Sequence, residues 1–169
     1  MFYLIYIFDL YSHLNNYYNT SLKSYDELIA NSKFCKTNLS TSNEEETNYD
    51  SYFRIATNKN PTFNCLGEKY ASKIGLITAD EVVFAGATTE DDNEEYYLYN
   101  DKIESIWWTS TLAKKNDTEF YPFSVTIYGK LSNEVEGKLY RSVRPVINIV
   151  KKVTVNGKGT KDEPYIINE

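Results

Sequence analysis

The clearest pattern of apolar and polar positions lies in the stretch from Ile74 to Gly86. An apolar run at 74–77 predicts a short strand. Thr78 and Glu81 follow it in the Thr-x-x-Glu spacing of a capping box, in which each side chain satisfies an amide at the start of a helix. We therefore expect a helix that begins directly after Thr78 and ends at Gly86. A helix this short requires a surrounding core for its stability.

Two other segments carry helical signals. Between Asp9 and Tyr18 the apolar residues recur at intervals of three and four, which predicts a helix. Ser24 and Glu27 form a second Thr/Ser-x-x-Glu pair, so a short helix is expected from there to about Asn31. His13, the single histidine, falls on the polar side of the first helix, where a surface role is the simpler interpretation.

The first ten residues form an apolar run that stops at Asp9. A secretory signal peptide would require a basic start and a small-residue cleavage site, and neither follows this pattern. A buried strand or the start of a helix explains the same residues, and we favour it. The run is also too short to cross a membrane, so we expect no span in this chain.

The remaining apolar segments predict mostly strands. Those segments are 52–56, 96–99, 106–110, 123–128, 139–150 and two short strands within 153–167. Pro145 cannot donate to a ladder, so its strand needs an edge or a bulge there, and Asn156-Gly157 predicts the turn of a terminal hairpin. With 16 Tyr, 8 Phe and 2 Trp, the composition also favours strands. The predicted class is α+β, a twisted and mainly antiparallel sheet with two or three short helices.

Length and loops complete this outline. The 169 residues are most simply one domain, 1–169, which is large enough to bury roughly 70% of its unfolded surface. The polar tract 38–48 predicts a solvated loop. The acidic tract 90–95 raises the question of calcium, but it lacks the alternating oxygen ligands and the glycine of a calcium loop. A solvated acidic loop is the favoured interpretation, and no metal or cofactor site is expected.

Cys35 and Cys65 are the two cysteines of the chain. Their separation is unlike that of zinc ligands, which come as pairs only a few residues apart. Two interpretations remain, a pair of buried free thiols and a disulfide across the intervening polar loop. We expect the disulfide, which would stabilise the fold by roughly 3–4 kcal/mol in the chain-entropy model and would indicate an oxidising compartment.

Aromatic residues supply the candidate ligand-binding positions. Trp107 and Trp108 are adjacent in a predicted strand, so one ring is expected in the core and the other near the surface. The surface ring is the best candidate for a ligand contact, although an ordinary half-buried tryptophan explains it equally simply. Tyr97 and Tyr99, in the predicted tyrosine-rich strand, belong to the same candidate site.

Arg144 interrupts the apolar run 139–150. A buried arginine needs a carboxylate or carbonyl partner. We expect Arg144 to be largely buried and paired with the first turn of the central helix, with Asp80 as first choice and Glu81 as second. This pair would lock the helix to the C-terminal strand. The alternative is an outward-facing arginine that belongs to a ligand site.

Charge and side-chain chemistry limit the possible functions. The chain has 18 Lys and Arg against 24 Asp and Glu, a formal net charge of -6, and no basic cluster. Nucleic acid is therefore not an expected partner. One histidine and no paired nucleophile and base are a poor basis for catalysis, so an enzyme is not the favoured hypothesis.

Several motifs together resemble a domain of unknown function found in surface and prepilin-like proteins of Gram-positive bacteria. The longest is Ile-Gly-Leu-Ile-Thr-Ala-Asp-Glu-Val at 74–82, and the others are Phe-Cys at 34–35, Asn-Pro-Thr at 60–62, Tyr-Leu-Tyr at 97–99, Trp-Thr at 108–109, Val-Arg-Pro-Val-Ile-Asn at 143–148 and the Gly-rich ending 157–167. The resemblance covers about 17–167. It implies a C-type-lectin-like fold, shared with formylglycine-generating enzymes, and a place outside the cell.

This sequence also departs from that pattern. Strands that usually precede the first helix are missing, so residues 1–16 are expected to be a truncated or atypical N-terminal portion. Ser110-Thr111 replaces the expected Ser-Pro. No residues match the paired active-site cysteines of formylglycine-generating enzymes. The expected function is a non-catalytic extracellular or cell-surface module that binds a glycan or a protein through a loop face; a pilus or adhesin building block and a formylglycine-generating type of enzyme are the alternatives.

Overall fold

The computed structural model describes residues 2–36, 47–102, 104–139, 141–160 and 162–168. Its α-helices are α1 (Phe2–Tyr17), α2 (Asp50–Tyr52) and α3 (Ala79–Phe84). A π-helical turn (Tyr18–Leu22) and a 3-10 turn (Lys23–Tyr25) extend α1, and a π-helical turn (Phe53–Thr57) extends α2. No helix in the described part of the chain is long and apolar enough to cross a membrane.

The strands are short apart from two. In chain order they are β1 (Ser32–Cys35), β2 (Thr47–Asn48), β3 (Lys69–Ser72), β4 (Gly75–Leu76), β5 (Trp107–Lys115), β6 (Phe120–Val125), β7 (Leu131–Ser132), β8 (Ser142–Val143), β9 (Pro145–Val146), β10 (Thr154–Asn156) and β11 (Ile166–Asn168).

The largest sheet has the order β2-β5-β6-β7, and β8 pairs with β5 as well. Its pairings are antiparallel except for β5 with β8, which is parallel. The register of β5 against β6 shifts twice between Trp108 and Lys114. These irregularities bend the middle of β5, as bulges do.

The other three sheets are two-stranded and antiparallel, β1-β3, β4-β9 and β10-β11. The predicted α+β class with mainly antiparallel strands is therefore confirmed. The predicted terminal pair of strands is also confirmed, because β10 pairs with β11, and Gly157 directly after β10 has a φ of 100°. Asn156 itself lies in β10 opposite Ile166, so the connection is longer than a two-residue Asn-Gly turn. Pro145 lies in the edge strand β9, where its missing amide does not interrupt a ladder.

The buried apolar residues form two clusters. The larger joins α3 to the main sheet and consists of Ile55, Ala79, Val82, Ala87, Tyr96, Trp107, Ala113, Phe123, Val125 and Leu131. The smaller lies under the end of α1 and consists of Leu14, Tyr18, Ile29, Ile74 and Leu76. The helix predicted between Asp9 and Tyr18 is thus present, and His13 is exposed on it.

Packing of the β4 strand depends on a glycine. A Cβ atom placed on Gly75 would lie 2.3 Å from the ring of Phe34. Because no side chain fits at that distance, glycine lets β4 approach the β1-β3 sheet closely. At the end of α3, Gly86 has a φ of 117°, the left-handed conformation predicted for the residue that stops this helix.

Two predicted elements are of the wrong type. The segment 52–56 is helical rather than a strand, and Ser51 and Ile55, one helical turn apart, are both buried. The segment 96–99 is a turn, closed by a hydrogen bond from the Tyr99 amide to the Tyr96 carbonyl at 2.9 Å. In both segments packing against the larger cluster outweighs the strand propensity of tyrosine and phenylalanine.

Other boundaries differ from the prediction. The helix expected after Ser24 is absent: residues 23–25 form a 3-10 turn without a side-chain cap, and Ile29 instead bridges to Ile149. The run 139–150 is divided between β8 and β9. Strand β6 ends at Val125 and is buried on both faces rather than half-buried. The polar tract 38–48 lies outside the described residues except at β2.

Candidate functional site

A groove of about 520 Å³ lies between the β1-β3 sheet, the start of α3 and the segment 146–148. It is the candidate functional site because ligands usually bind in concave sites of this size, and its lining combines apolar residues with a similar number of polar and charged ones. Residues 62–67, after the π-helical turn of α2, close one end of it, and Tyr97 and Leu98 close another.

A disulfide forms one wall of the groove. Cys35 in β1 is bonded to Cys65, with a Cα–Cα distance of 5.5 Å, so the predicted disulfide is confirmed. Next to it the Lys36 amide donates to the Glu68 carbonyl at 2.7 Å. The disulfide and this hydrogen bond hold the loop 62–67 against β1 and fix its position at the groove.

An ion pair forms the floor. Nε and Nη2 of Arg54 donate to Oδ1 and Oδ2 of Asp80, at 3.0 and 2.7 Å. The same carboxylate accepts a hydrogen bond from the Thr62 amide at 2.8 Å. The side chains of Arg54 and Asp80 are 18% and 7% exposed. These contacts tie the turn after α2, the disulfide-bonded loop and α3 together.

The start of α3 forms the next wall, and the predicted capping box is present there. The Glu81 amide donates to Thr78 Oγ1 at 3.2 Å, and the Thr78 amide donates to Glu81 Oε2 at 2.7 Å. Thr111 Oγ1 on β5 accepts a third bond, from the Ala79 amide at 3.0 Å. The carboxylates of Asp80 and Glu81 therefore both have structural hydrogen bonds.

Exposed aromatic rings lie at the rim. Phe63 is 73% exposed and Tyr97 is 74% exposed, although both are large rings that line the groove. Phe63 stacks on Phe84 with the ring centroids 4.0 Å apart and the planes 10° from parallel. The Tyr97 hydroxyl donates to the Gly159 carbonyl of the terminal hairpin at 2.9 Å. The rim thus offers flat apolar surface to solvent.

The two tryptophans are not part of this rim. Trp107 and Trp108 are each 3% exposed, so the expectation that one of them faces the surface is wrong. Their side chains alternate across β5 as expected, but both faces of this central strand are covered. Tyr99 is half-buried and packs against the larger cluster. Of the four residues proposed from the sequence for ligand contact, Tyr97 is the exposed one at the groove.

The predicted partner of Arg144 is also wrong. Its guanidinium donates to the Leu98 carbonyl and lies 5.0 Å from the centre of the Trp107 ring. Asp80 is paired with Arg54 and Glu81 is part of the capping box, so neither carboxylate faces Arg144. Burial raises the pKa of the Tyr96 hydroxyl to about 12, although the nearby positive charge of Arg144 acts to lower this pKa.

The acidic tract 90–95 forms part of a turned loop. The Asp91 amide donates to Thr88 Oγ1 at 3.1 Å, and Glu90 pairs with Lys59 at 3.1 Å. Across the described residues, no three His, Cys, Asp or Glu side chains are grouped closely enough to hold a metal ion. His13 lies on α1 and does not line the groove.

Sequence reasoning missed Arg54 and Phe63. Arg54 lies in the segment 52–56, for which the apolar pattern predicts a strand, although the spacing of Ser51 and Ile55 indicates a helix. No local signal identified Phe63, because its position depends on the disulfide. Comparisons with protein-family models, with curated proteins and with solved structures found no match to this chain.

Proposed function

We propose that this chain is a non-catalytic extracellular or cell-surface module that binds a carbohydrate in the groove. The observation that carries the proposal is the pair of exposed rings, Phe63 and Tyr97, at the rim of the groove. Large exposed aromatic surfaces beside a cavity are typical of binding sites. The C–H faces of a sugar ring pack on such flat apolar surfaces, while its hydroxyls need hydrogen-bonding groups nearby.

The groove also offers those groups. Asn64 and Asn148 are among its lining residues, and a side-chain amide both donates and accepts hydrogen bonds, as adjacent sugar hydroxyls require. The carboxylates of Asp80 and Glu81 are held by Arg54 and Thr78. A structural role for both carboxylates favours binding over acid-base catalysis, which needs a carboxylate that is free to exchange a proton.

The disulfide supports the proposed location. Disulfides persist in oxidising compartments, and Cys35 and Cys65 account for both cysteines of the chain. The C-type-lectin-like fold expected from the sequence resemblance is part of the same proposal. It is supported by the mixed α+β architecture, in which short helices and small antiparallel sheets surround the β5-β6 pair.

A structural building block of a surface fibre is the second candidate. The observation that favours it is the terminal hairpin of β10 and β11, which exposes Val155, Tyr165 and Ile166 to 47%, 62% and 63%. Isolated two-stranded hairpins are marginally stable, so pairing with a neighbouring copy would stabilise this one. A self-association that is lost in Ile166→Lys, measured by sedimentation, would favour this candidate.

Binding to a panel of immobilised oligosaccharides tests the main proposal. We expect Phe63→Ala and Tyr97→Ala each to weaken binding, because each removes a ring from the rim. Tyr128→Ala is the matched control, since Tyr128 is 53% exposed and does not line the groove. Retention of no oligosaccharide by the wild-type protein, or equal loss in all three variants, would contradict the proposal.

A further inference from the structure

We infer that the carbohydrate bound in the groove is acidic, with its negative groups against two lysines of the β1-β3 sheet. This inference rests on the proposed function, since it names the chemical class of the ligand of the same groove. The two lysines, Lys33 and Lys69, line the groove on either side of the disulfide. The inference depends on how strand pairing places them and on the ion pairs of the described residues, none of which includes Lys33 or Lys69.

Strand pairing places both lysines on one face. Cys35 of β1 lies opposite Lys69 of β3, and residues directly opposite each other in a ladder point to the same side. Lys33 is two residues before Cys35 and therefore also lies on that side. The disulfide fixes this face toward the loop 62–67. The two ammonium groups thus flank Cys35 at the groove wall.

The other face of the β1-β3 sheet packs against the rest of the protein. Phe34 is buried, and its ring lies 5.9 Å from that of Tyr70, which in turn packs edge-on against Tyr11 at 4.8 Å. Lys36 is near the groove as well, but its ammonium lies over the Tyr70 ring at 5.9 Å. Phe34 and Lys36 also line the groove, but Phe34 is buried and the Lys36 ammonium lies over Tyr70, so the exposed lysines of this wall are Lys33 and Lys69.

Acidic partners for these two lysines are missing within the described ranges. Five other lysines of the chain form ion pairs there, at positions 23, 59, 73, 138 and 158, whereas none of the salt bridges includes Lys33 or Lys69. The one arginine of the groove, Arg54, is neutralised by Asp80.

The groove is therefore electrically asymmetric. Apart from Asp80, its acidic lining residues are Asp50 and Glu81, which belong to the helical side formed by α2 and α3. Lys33 and Lys69 lie on the opposite side, which is formed by β1 and β3. In a chain with a net charge of -6, this local positive wall would attract an anion that most of the surface repels.

An acidic oligosaccharide fits both features of the site. Its sugar rings would pack on Phe63 and Tyr97, and its carboxylates would accept hydrogen bonds from the ammonium groups of Lys33 and Lys69. Because both lysines are exposed, their contribution to binding should weaken as salt screens it. A neutral sugar would use the rings alone and would show little dependence on salt.

The experiment compares oligouronates with their carboxyl-reduced counterparts, which keep the sugar chain and remove the charge. Binding of oligogalacturonate and oligoalginate to the full chain is measured by calorimetry at low and high salt. We expect the acidic forms to bind about tenfold more tightly than the reduced forms at low salt, as two exposed ion pairs allow. The double variant Lys33→Gln/Lys69→Gln should lose that advantage.

Lys151→Gln/Lys152→Gln is the matched control, because these two lysines are exposed in a turn and do not line the groove. It should bind the acidic forms like the wild-type protein. Equal binding of acidic and reduced forms would overturn the inference and leave carbohydrate binding intact. Failure of the wild-type protein to bind either form, together with failure to bind any member of the immobilised oligosaccharide panel, would overturn the proposed function as well. Loss of acidic binding in both double variants would show a general charge effect and would also overturn the inference.

Discussion

Arg54 and Asp80 form a two-bond ion pair beneath the groove, with donor-acceptor distances of 3.0 and 2.7 Å. The two residues lie in different helical segments, 26 positions apart, and the Thr62 amide binds the same carboxylate. A planar guanidinium suits this geometry because its two donors match the two oxygens of a carboxylate. The pair therefore connects α3 to the turn after α2 and to the disulfide-bonded loop.

Replacing Arg54 should destabilise the fold strongly. In Arg54→Met the Asp80 carboxylate, 7% exposed, would stay buried without its cation. We expect a loss of about 3–5 kcal/mol in the free energy of unfolding, measured by chemical denaturation. Lys59→Met is the control: its ion pair with Glu90 is exposed, so the change should stay below about 1 kcal/mol. Similar losses in both variants would contradict the structural role of the pair.

Thr78 should contribute to stability through the capping box of α3. Thr78→Ala removes the oxygen that accepts from the Glu81 amide, and we expect a loss of about 1 kcal/mol in the free energy of unfolding. Glu81→Gln is the matched variant, because glutamine keeps an acceptor for the Thr78 amide and preserves the box. A Thr78→Ala protein as stable as wild type would rule out a role for this cap.

The disulfide should be intact in exported protein and should stabilise it. Reduction should raise the intact mass by two hydrogens, because two thiols are formed from the single bond. The unfolding free energy should fall by about 3–4 kcal/mol on reduction, as the chain-entropy model gives for a loop of this length. The variant Cys35→Ala/Cys65→Ala should be insensitive to reductant. Ready labelling of both thiols in unreduced exported protein would refute the bond.

Asp26 should make the protein sensitive to acid. A hydrogen bond from the Tyr18 hydroxyl, another from Lys23, and the nearby charge of Lys73 lower the pKa of Asp26 to about 2. Because the folded-state pKa is lower than the unfolded value of about 3.9, the stabilisation is complete above that value and is lost as pH falls toward 2. We expect the midpoint temperature of thermal unfolding to decrease as the pH is lowered from about 5 to about 2.

The test for Asp26 is the pH dependence of thermal unfolding in Asp26→Asn. This variant should be less stable than wild type at neutral pH and should lose less stability on acidification. Asp162→Asn, which changes an exposed carboxylate in the terminal hairpin, is the control and should follow the wild-type curve. An acid slope that is unchanged in Asp26→Asn would show that other carboxylates cause it.

Local sequence determined several features of this protein because the interactions behind them span only a few residues. The Thr78–Glu81 box starts α3, and Gly86 ends it in the left-handed conformation that glycine adopts without strain. The Gly-rich segment after Asn156 marks the end of β10, where Gly157 has a φ of 100°. The disulfide was predictable for another reason: the chain has two cysteines, so only one pairing is available.

Tertiary structure decided the rest, because those features depend on which segments meet. Alternation along β5 predicts opposite faces for Trp107 and Trp108, but only the elements packed on each face determine that both rings are buried. Asp80 binds Arg54 rather than Arg144 because the turn after α2 lies beneath α3. The groove itself depends on the disulfide, which joins the loop 62–67 to one face of the β1-β3 sheet. The register of β1 against β3 decides that Lys33 and Lys69 lie on that face.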